Sequence, residues 1–218
     1  MPTHGTDERS LPLRERKKLR TRRALADAAL RLFAAQGFDA TTLEELAEEA
    51  EVSKSTFSRT FPAKEAAGIE AETEVWTAYL ATVQDGEFSG PVLAELHRTL
   101  AATTAALDPS WDDRFVATRR LIAAEPALLR YTEHYRAEVK EQLAATLAAK
   151  LTLDADDLRL HVLAELVMTA WSLSGRAWVR GGGNGGRPAL LAGFAKAIEA
   201  VPASLTLTSE PVPRGGAR

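Results

Sequence analysis

The spacing of apolar residues between Leu25 and Phe61 does most to limit what this chain can fold into. Leu25, Ala28, Ala29, Leu32 and Phe33 recur at i, i+3, i+4, i+7 and i+8, the stripe of an amphipathic helix. The spacing predicts a helix from about Leu13 to Gln36, stopped by Gly37 at its C-cap. Thr41 or Thr42, with Glu44 or Glu45 three residues on, can form a capping box for the next helix. That helix is short, about Leu43 to Ala50, and its inward side is Leu43, Leu46, Ala47 and Ala50. Ser53 is placed to cap a third helix ending near Phe61, with Val52, Phe57 and Phe61 inward, and Pro62 breaks the chain.

The same periodicity continues downstream. A fourth helix is expected over Ala63–Gln84, followed by a loop at Gly86, Gly90 and Pro91. A fifth covers about Val92 to Leu107, and Asp112 is a candidate cap for a sixth reaching Ala124. Pro126 suits the first turn of a seventh, to about Leu151. Asp154 or a neighbour caps an eighth, to about Arg180, and a ninth runs from Pro188 to Val201 after the glycine run 181–186. No segment alternates apolar and polar residues or is rich in β-branched side chains, so the expected class is all-α with about nine helices. The expected organisation is a disordered tail over 1–12, a three-helix unit over 13–62, a larger helical unit over 63–203 and a disordered tail over 204–218.

Composition narrows the function classes. Among the 218 residues there is no cysteine, which removes disulfides, thiolate metal sites and cysteine nucleophiles. No run of 18 apolar residues or secretory leader is legible, so a cytoplasmic protein is expected. The net charge of −3 hides an asymmetry: residues 1–65 carry 12 basic and 11 acidic side chains, residues 66–218 carry 15 and 19. Arg14–Arg23 alone holds seven cations and one glutamate, while Leu43–Glu51 holds five glutamates and no cation. Blocks of opposite sign this close together describe one basic face on an acidic body.

The second and third helices, joined by a tight turn at Glu51-Val52, make a helix-turn-helix arrangement, whose second helix enters the DNA major groove. The outward side of the third helix carries Lys54, Ser55, Ser58 and Arg59. Small side chains let such a helix sit deep, while Lys and Arg supply donors to bases and phosphates. Lys17 and Arg20 in the basic run, and Lys64 after Pro62, are placed to neutralise backbone phosphates. Glu44 is either a solvated surface group or a reader of a cytosine amino group.

Within Arg14–Ala67 the segments LF, GF-x-x-TT, L-A, VS-x-x-TF and F-x-x-KE occur in that order. This stretch resembles the DNA-binding domain of the TetR-type transcriptional regulators. The resemblance implies a three-helix head joined to a helical ligand-binding and dimerisation domain. It places Thr42, Ser55, Thr56, Ser58 and Lys64 where the family touches phosphates or bases, with Lys54 and Arg59 at variable recognition positions. It departs from the pattern at Glu51, where the turn usually has glycine, and at Ser58 and Thr60, where an aromatic and a Tyr or His are usual. A left-handed Glu51 costs about 1 kcal/mol.

The implied function is a ligand-responsive regulator, a repressor released from a palindromic operator by a small molecule. Its partners would be double-stranded DNA, a second copy of the chain and a small-molecule effector, acyl-CoA-like or hydrophobic. TRRLIAAEPALLRYTEHYRAEV resembles members with an acyl-CoA-like ligand-binding domain. Candidate pocket residues are Trp76, Phe115, Arg119, Tyr131, Tyr135 and Trp171, although such aromatic side chains are more often core than pocket lining. Arg119 and Arg120 bind an acidic ligand group or form ion pairs with Glu125 or Glu133. The resemblance also implies a dimer interface built from the last two helices, for which Leu163, Val167, Trp178, Leu191, Phe194 and Ile198 are candidates. No cofactor, metal set or catalytic constellation is expected; His134 and Glu138 alone do not make a metal site. The alternative is a helical-bundle enzyme or small-molecule carrier whose basic first helix binds anionic surfaces without specificity.

Overall fold

The computed structural model describes residues 12–209; the expected N-terminal tail at 1–12 lies outside them except for Pro12, and of the expected C-terminal tail at 204–218 residues 204–209 are described, with Ser204 ending the last helix. Ten helices and no strands occur among the described residues. They are α1 (Leu13–Gln36), α2 (Leu43–Glu49), α3 (Lys54–Thr60), α4 (Lys64–Gly68), α5 (Glu70–Asp85), α6 (Val92–Ala105), α7 (Trp111–Ala124), α8 (Pro126–Leu151), α9 (Leu158–Arg180) and α10 (Gly186–Ser204). The all-α expectation stands, and α1 has the bounds that its periodicity predicts.

Local chemistry sets most of the boundaries. Thr42 and Glu45 form the capping box of α2, while Thr41 is buried and donates to the Gly37 carbonyl at 2.7 Å. Ser53 caps α3, accepting from the Thr56 N–H. One expected cap is corrected and one is narrowed. Asp112 does not cap α7; its carboxylate accepts from the Arg187 backbone and side chain instead. Asp157, not Asp154, caps α9 through the Arg159 N–H. That hydrogen bonding, from Arg159 side chain and backbone, holds the Asp157 carboxyl down at about 2.

The expected fourth helix is two helices. Ile69 (φ −106°, ψ 14°) interrupts α4 and α5. Gly68 explains the close approach there: a Cβ would lie 2.9 Å from the Phe33 ring and 3.1 Å from Leu128. The glycine run 181–186 contains four residues with positive φ, a winding that needs little distortion only without side chains. It turns the chain so that Arg187 reaches the carbonyls of Thr104, Leu107 and Asp108 at the end of α6.

Two apolar cores result. The head core joins Leu25, Phe33, Leu46, Phe57, Phe61 and Ile69 with Ile122 and Leu128 from α7 and α8. The body core is aromatic, with Trp76, Tyr79, Trp111, Phe115, Trp171 and Phe194 all essentially inaccessible. The head is therefore anchored on the body by apolar side chains, not merely tethered to it.

Candidate functional site

The turn between α2 and α3 is closed by the Val52 N–H donating to the Ala47 carbonyl at 2.9 Å. Glu51 sits in it with φ +54°, the left-handed region that the sequence comparison flagged. Phe57 and Phe61, both 1% exposed and 5.9 Å apart between ring centres, root α3 in the head core. Rooting those residues turns Lys54, Ser55, Ser58 and Arg59 to solvent. Thr56 is half-buried, with its hydroxyl 2.9 Å from Ser53 Oγ. Lys17, Arg20 and Thr42 are also exposed.

Several of these groups already have partners inside the head. Lys54 pairs with Glu44, which lowers the Glu44 carboxyl below its usual range. Lys64 donates from Nζ to the carbonyls of Phe38 (2.7 Å) and Thr41 (3.0 Å) and lies 4.1 Å from the Phe38 ring centre. It therefore fastens the α1–α2 loop, leaving one of its three N–H donors for a phosphate. Arg59 NH2 lies 3.4 Å from Thr56 Oγ1, a weak tie that keeps its guanidinium at the surface.

Sequence reasoning counted Arg22 only as part of a basic run. Its guanidinium donates from NH1 to the Thr60 carbonyl at the end of α3 (3.0 Å) and from NH2 to Glu70 (2.6 Å), with Nε on the other carboxylate oxygen. It also covers the Phe61 ring at 4.4 Å. Arg22 thus ties the exposed helix to the first residue of α5. Burial pushes the Glu70 carboxyl up, against the opposing pull of Arg22.

Four of the six candidate pocket residues come together in the body. Trp171 lies 6.0 Å from both Trp76 and Phe115 between ring centres, and the Arg119 guanidinium is 5.3 Å from the Phe115 ring. Tyr131 does not join them; it packs against the head core. Tyr135 lies between the two cores, donates to the Thr73 carbonyl at 3.4 Å and helps to line a groove of about 320 Å³ between α5 and α8. Burial pushes its hydroxyl up to about 12.

Arg119 does not pair with Glu125 or Glu133. Its NH1 donates to Glu72 at 2.8 Å, and the same carboxylate oxygen accepts from Arg136 NH2 at 2.9 Å. The other Glu72 oxygen accepts from Trp76 Nε1 at 3.2 Å. Glu133 pairs with Arg136, and Arg120 is exposed. Arg119 Nε and NH2, Arg136 Nε, Thr118 Oγ1 and Trp171 Nε1 are buried without a partner. An unsatisfied buried donor costs about 1–3 kcal/mol, more when charged. Glu72 escaped notice, but a signal existed: it shares the stripe of Trp76, Tyr79 and Val83 at i+4, i+7 and i+11. A charge in register with an apolar stripe is a buried charge.

The dimer candidates divide. Leu163, Leu191 and Ile198 are half-buried and keep some surface. Val167, Trp178 and Phe194 belong instead to the core of one subunit, at 0%, 6% and 0% exposure, and have none to offer a second copy. The exposed apolar residues of α9 are Leu158, Val162 and Leu173.

Comparison with known proteins fits this arrangement. Residues 25–66, from the middle of α1 into α4, match the family described as bacterial regulatory proteins, tetR family. Over 153 residues the chain is 35% identical to the HTH-type transcriptional regulator TcmR of Streptomyces glaucescens, an alignment spanning 66% of each protein. The chain belongs to the TetR family. The TetR fold extends beyond the head: a TetR-family transcriptional regulator from Mesorhizobium loti superposes with a TM-score of 0.50 at 23% identity, over 86% of this chain and 98% of that one. Thermus thermophilus FadR, a TetR-family repressor solved with lauroyl-CoA, gives 0.46 at 23% identity, over 89% and 100%. TetR membership makes the protein a transcriptional regulator rather than an enzyme. No helix among the described residues is long and apolar enough to cross a membrane.

Proposed function

We propose that this TetR-family protein is a cytoplasmic, homodimeric regulator that inserts α3 of each subunit into successive major grooves of a palindromic operator. A small molecule held in the body would release it, which makes it a repressor. The observation that carries the reading is the exposed Ser55–Ser58–Arg59 surface on a helix rooted by Phe57 and Phe61, within the family-matched segment. Residues 13–62 form the DNA-binding domain and 63–203 the effector and dimerisation domain. Half-sites are then expected about 34–36 Å apart.

Base reading falls to Ser55, Ser58 and Arg59, with Lys54 available once it leaves Glu44. Lys17, Arg20, Thr42, Thr56 and Lys64 contact the backbone. The exposed Val162 and Leu173, with Leu163, Leu191 and Ile198, supply the apolar part of the dimer contact.

A gel-shift titration against DNA upstream of the protein's own and adjacent genes tests the reading. Sequence-specific binding that falls with salt is expected, and its absence on every fragment overturns the proposal. Arg59→Ala is expected to reduce discrimination at one base position by about 1–3 kcal/mol. Unchanged affinity and specificity remove Arg59 from the recognition set.

A further inference from the structure

One cation in the body has more buried donors than partners. Arg119 is 8% exposed, yet only its NH1 has an acceptor, on Glu72, which Arg136 shares. Its Nε and NH2 have none. Arginine cannot escape such a position by losing its proton. The two unpartnered nitrogens are not scattered: Nε and NH2 share one edge of the guanidinium, and that edge takes both oxygens of a single carboxylate in a bidentate pair.

The surroundings specify the remainder of the ligand. The guanidinium stands 5.3 Å from the Phe115 ring, which stands 6.0 Å from Trp171, itself 6.0 Å from Trp76. These separations lie in the range at which aromatic rings attract one another edge-to-face or offset. Trp171 Nε1 in this layer, and Thr118 Oγ1 beside Arg119 in α7, are likewise buried and unpartnered. On α9, Gly175 is what lets the guanidinium lie against that helix: a Cβ there would lie 2.7 Å from Arg119 NH2.

We propose that the free edge of Arg119 receives the carboxylate of a flat, aromatic effector whose rings enter the layer formed by Phe115, Trp171 and Trp76. The proposal rests on the effector-responsive reading above and names the chemical class of the effector. Glu72 holds the opposite side of the guanidinium and fixes its orientation.

The test uses the full chain and three acids of increasing ring number, benzoate, 2-naphthoate and anthracene-2-carboxylate, each beside its primary amide. Binding is read as quenching of tryptophan emission and as a thermal midpoint shift. At least one acid is expected to quench saturably, its amide about tenfold more weakly, as the loss of one charge-assisted bidentate pair implies. Arg119→Met is expected to abolish the preference for the acid. Arg119→Lys, which keeps the charge but not the fork, is expected to retain only part of it. Gly175→Ala, which presses on NH2 without changing charge, should weaken the acid, and it serves if Arg119→Met does not fold. Failure of every acid to bind saturably, equal binding of acid and amide, or undiminished acid preference in Arg119→Met each overturns the proposal. Operator binding in gel shift is measured on the same preparation. DNA binding without acid binding defeats this inference alone, and acid binding without DNA binding defeats the regulator reading alone.

Discussion

The head and the body treat most of their buried cations differently, Arg16 of the head, whose Nε is buried without a partner, being the exception. In the head, Arg22 spends its guanidinium on the Thr60 carbonyl, the Glu70 carboxylate and the Phe61 ring, and Lys64 spends two donors on loop carbonyls. In the body, Arg119, Arg136 and Arg114 each keep at least one buried nitrogen without a partner. A satisfied network makes a region rigid, while a partly satisfied one is costly on its own. The head holds a fixed shape for presentation, and the body carries a cost that a bound anion would remove.

The most severe way to break this contrast is to empty the head core. Phe57→Ala should cost about 3–5 kcal/mol, the usual range for a buried phenylalanine. All four tryptophans lie in the body, at positions 76, 111, 171 and 178. The expected outcome is loss of operator binding and a lowered helical unfolding transition by circular dichroism, with the tryptophan emission midpoint near its native value. If both transitions fall together, Ile122 and Leu128 make the two cores one cooperative unit and the contrast is only local.

Arg22→Met sharpens the contrast at the seam. Breaking a buried pair costs about 3–5 kcal/mol, and because the Arg22 side chain is 35% exposed solvent screening reduces that to about 2 kcal/mol. The sign of the pH dependence follows from Glu70. Burial already raises its carboxyl above the usual value, and removing Arg22 removes the main opposing pull. A carboxyl raised on folding favours the folded state most when protonated, below its unfolded value, and that advantage is lost as pH rises through the folded value. Arg22→Met should therefore recover stability relative to the native protein as pH falls toward 5. Denaturant midpoints at several pH values check this, and a pH-independent difference would show that Glu70 does not carry the effect.

The contrast also explains what could be read from the chain. The head was legible because its chemistry is local: Thr42 with Glu45, Ser53 with Thr56, and Phe33 followed by Gly37 all act within four residues. The interruption at Ile69 was not legible, since it follows from Gly68 meeting Phe33 and Leu128, partners 35 and 60 positions away. The Glu72 cluster joins α5, α7 and α8 over separations of 47 and 64 residues. Its members announced burial by lying on apolar stripes, but stripes do not say which charges meet. Three of the six dimer candidates, Val167, Trp178 and Phe194, failed for the same reason. Periodicity put Val167 and Trp178 on an apolar face of α9 without saying which face the subunit keeps for itself.

Glu51→Gly is a smaller, local perturbation of the head. Relief of the left-handed strain is about 1–2 kcal/mol, and the extra chain entropy of glycine takes back about 0.5–1 kcal/mol. A net gain of up to about 1.5 kcal/mol is expected, read as a higher denaturant midpoint with unchanged operator specificity. A loss of stability instead would mean that the Glu51 side chain contributes a favourable interaction larger than the strain.

The smallest expected effect separates two kinds of unpartnered nitrogen within the body. His97 Nε2 is also buried without a partner, and its ring lies tilted against that of Phe194 of α10, 4.9 Å between centres. Desolvation lowers its pKa, with Glu199 pulling the other way. A histidine lowered on folding is favoured neutral in the folded state, so stability falls as pH drops through the unfolded value of about 6.5 and levels off below the folded one. His97→Leu should flatten that part of the stability profile between pH about 7 and about 5, measured by thermal midpoint, while leaving aryl carboxylate binding unchanged. The difference in kind is chemical. His97 meets an apolar setting by giving up its proton, so its unpartnered nitrogen is the ordinary end state of a neutral ring. Arg119 has no such exit, and its charge stays where it is until an acceptor arrives. If His97→Leu abolished acid binding as fully as Arg119→Met, the seam between α6 and α10, not the Arg119 edge, would be the part of the body that receives the effector.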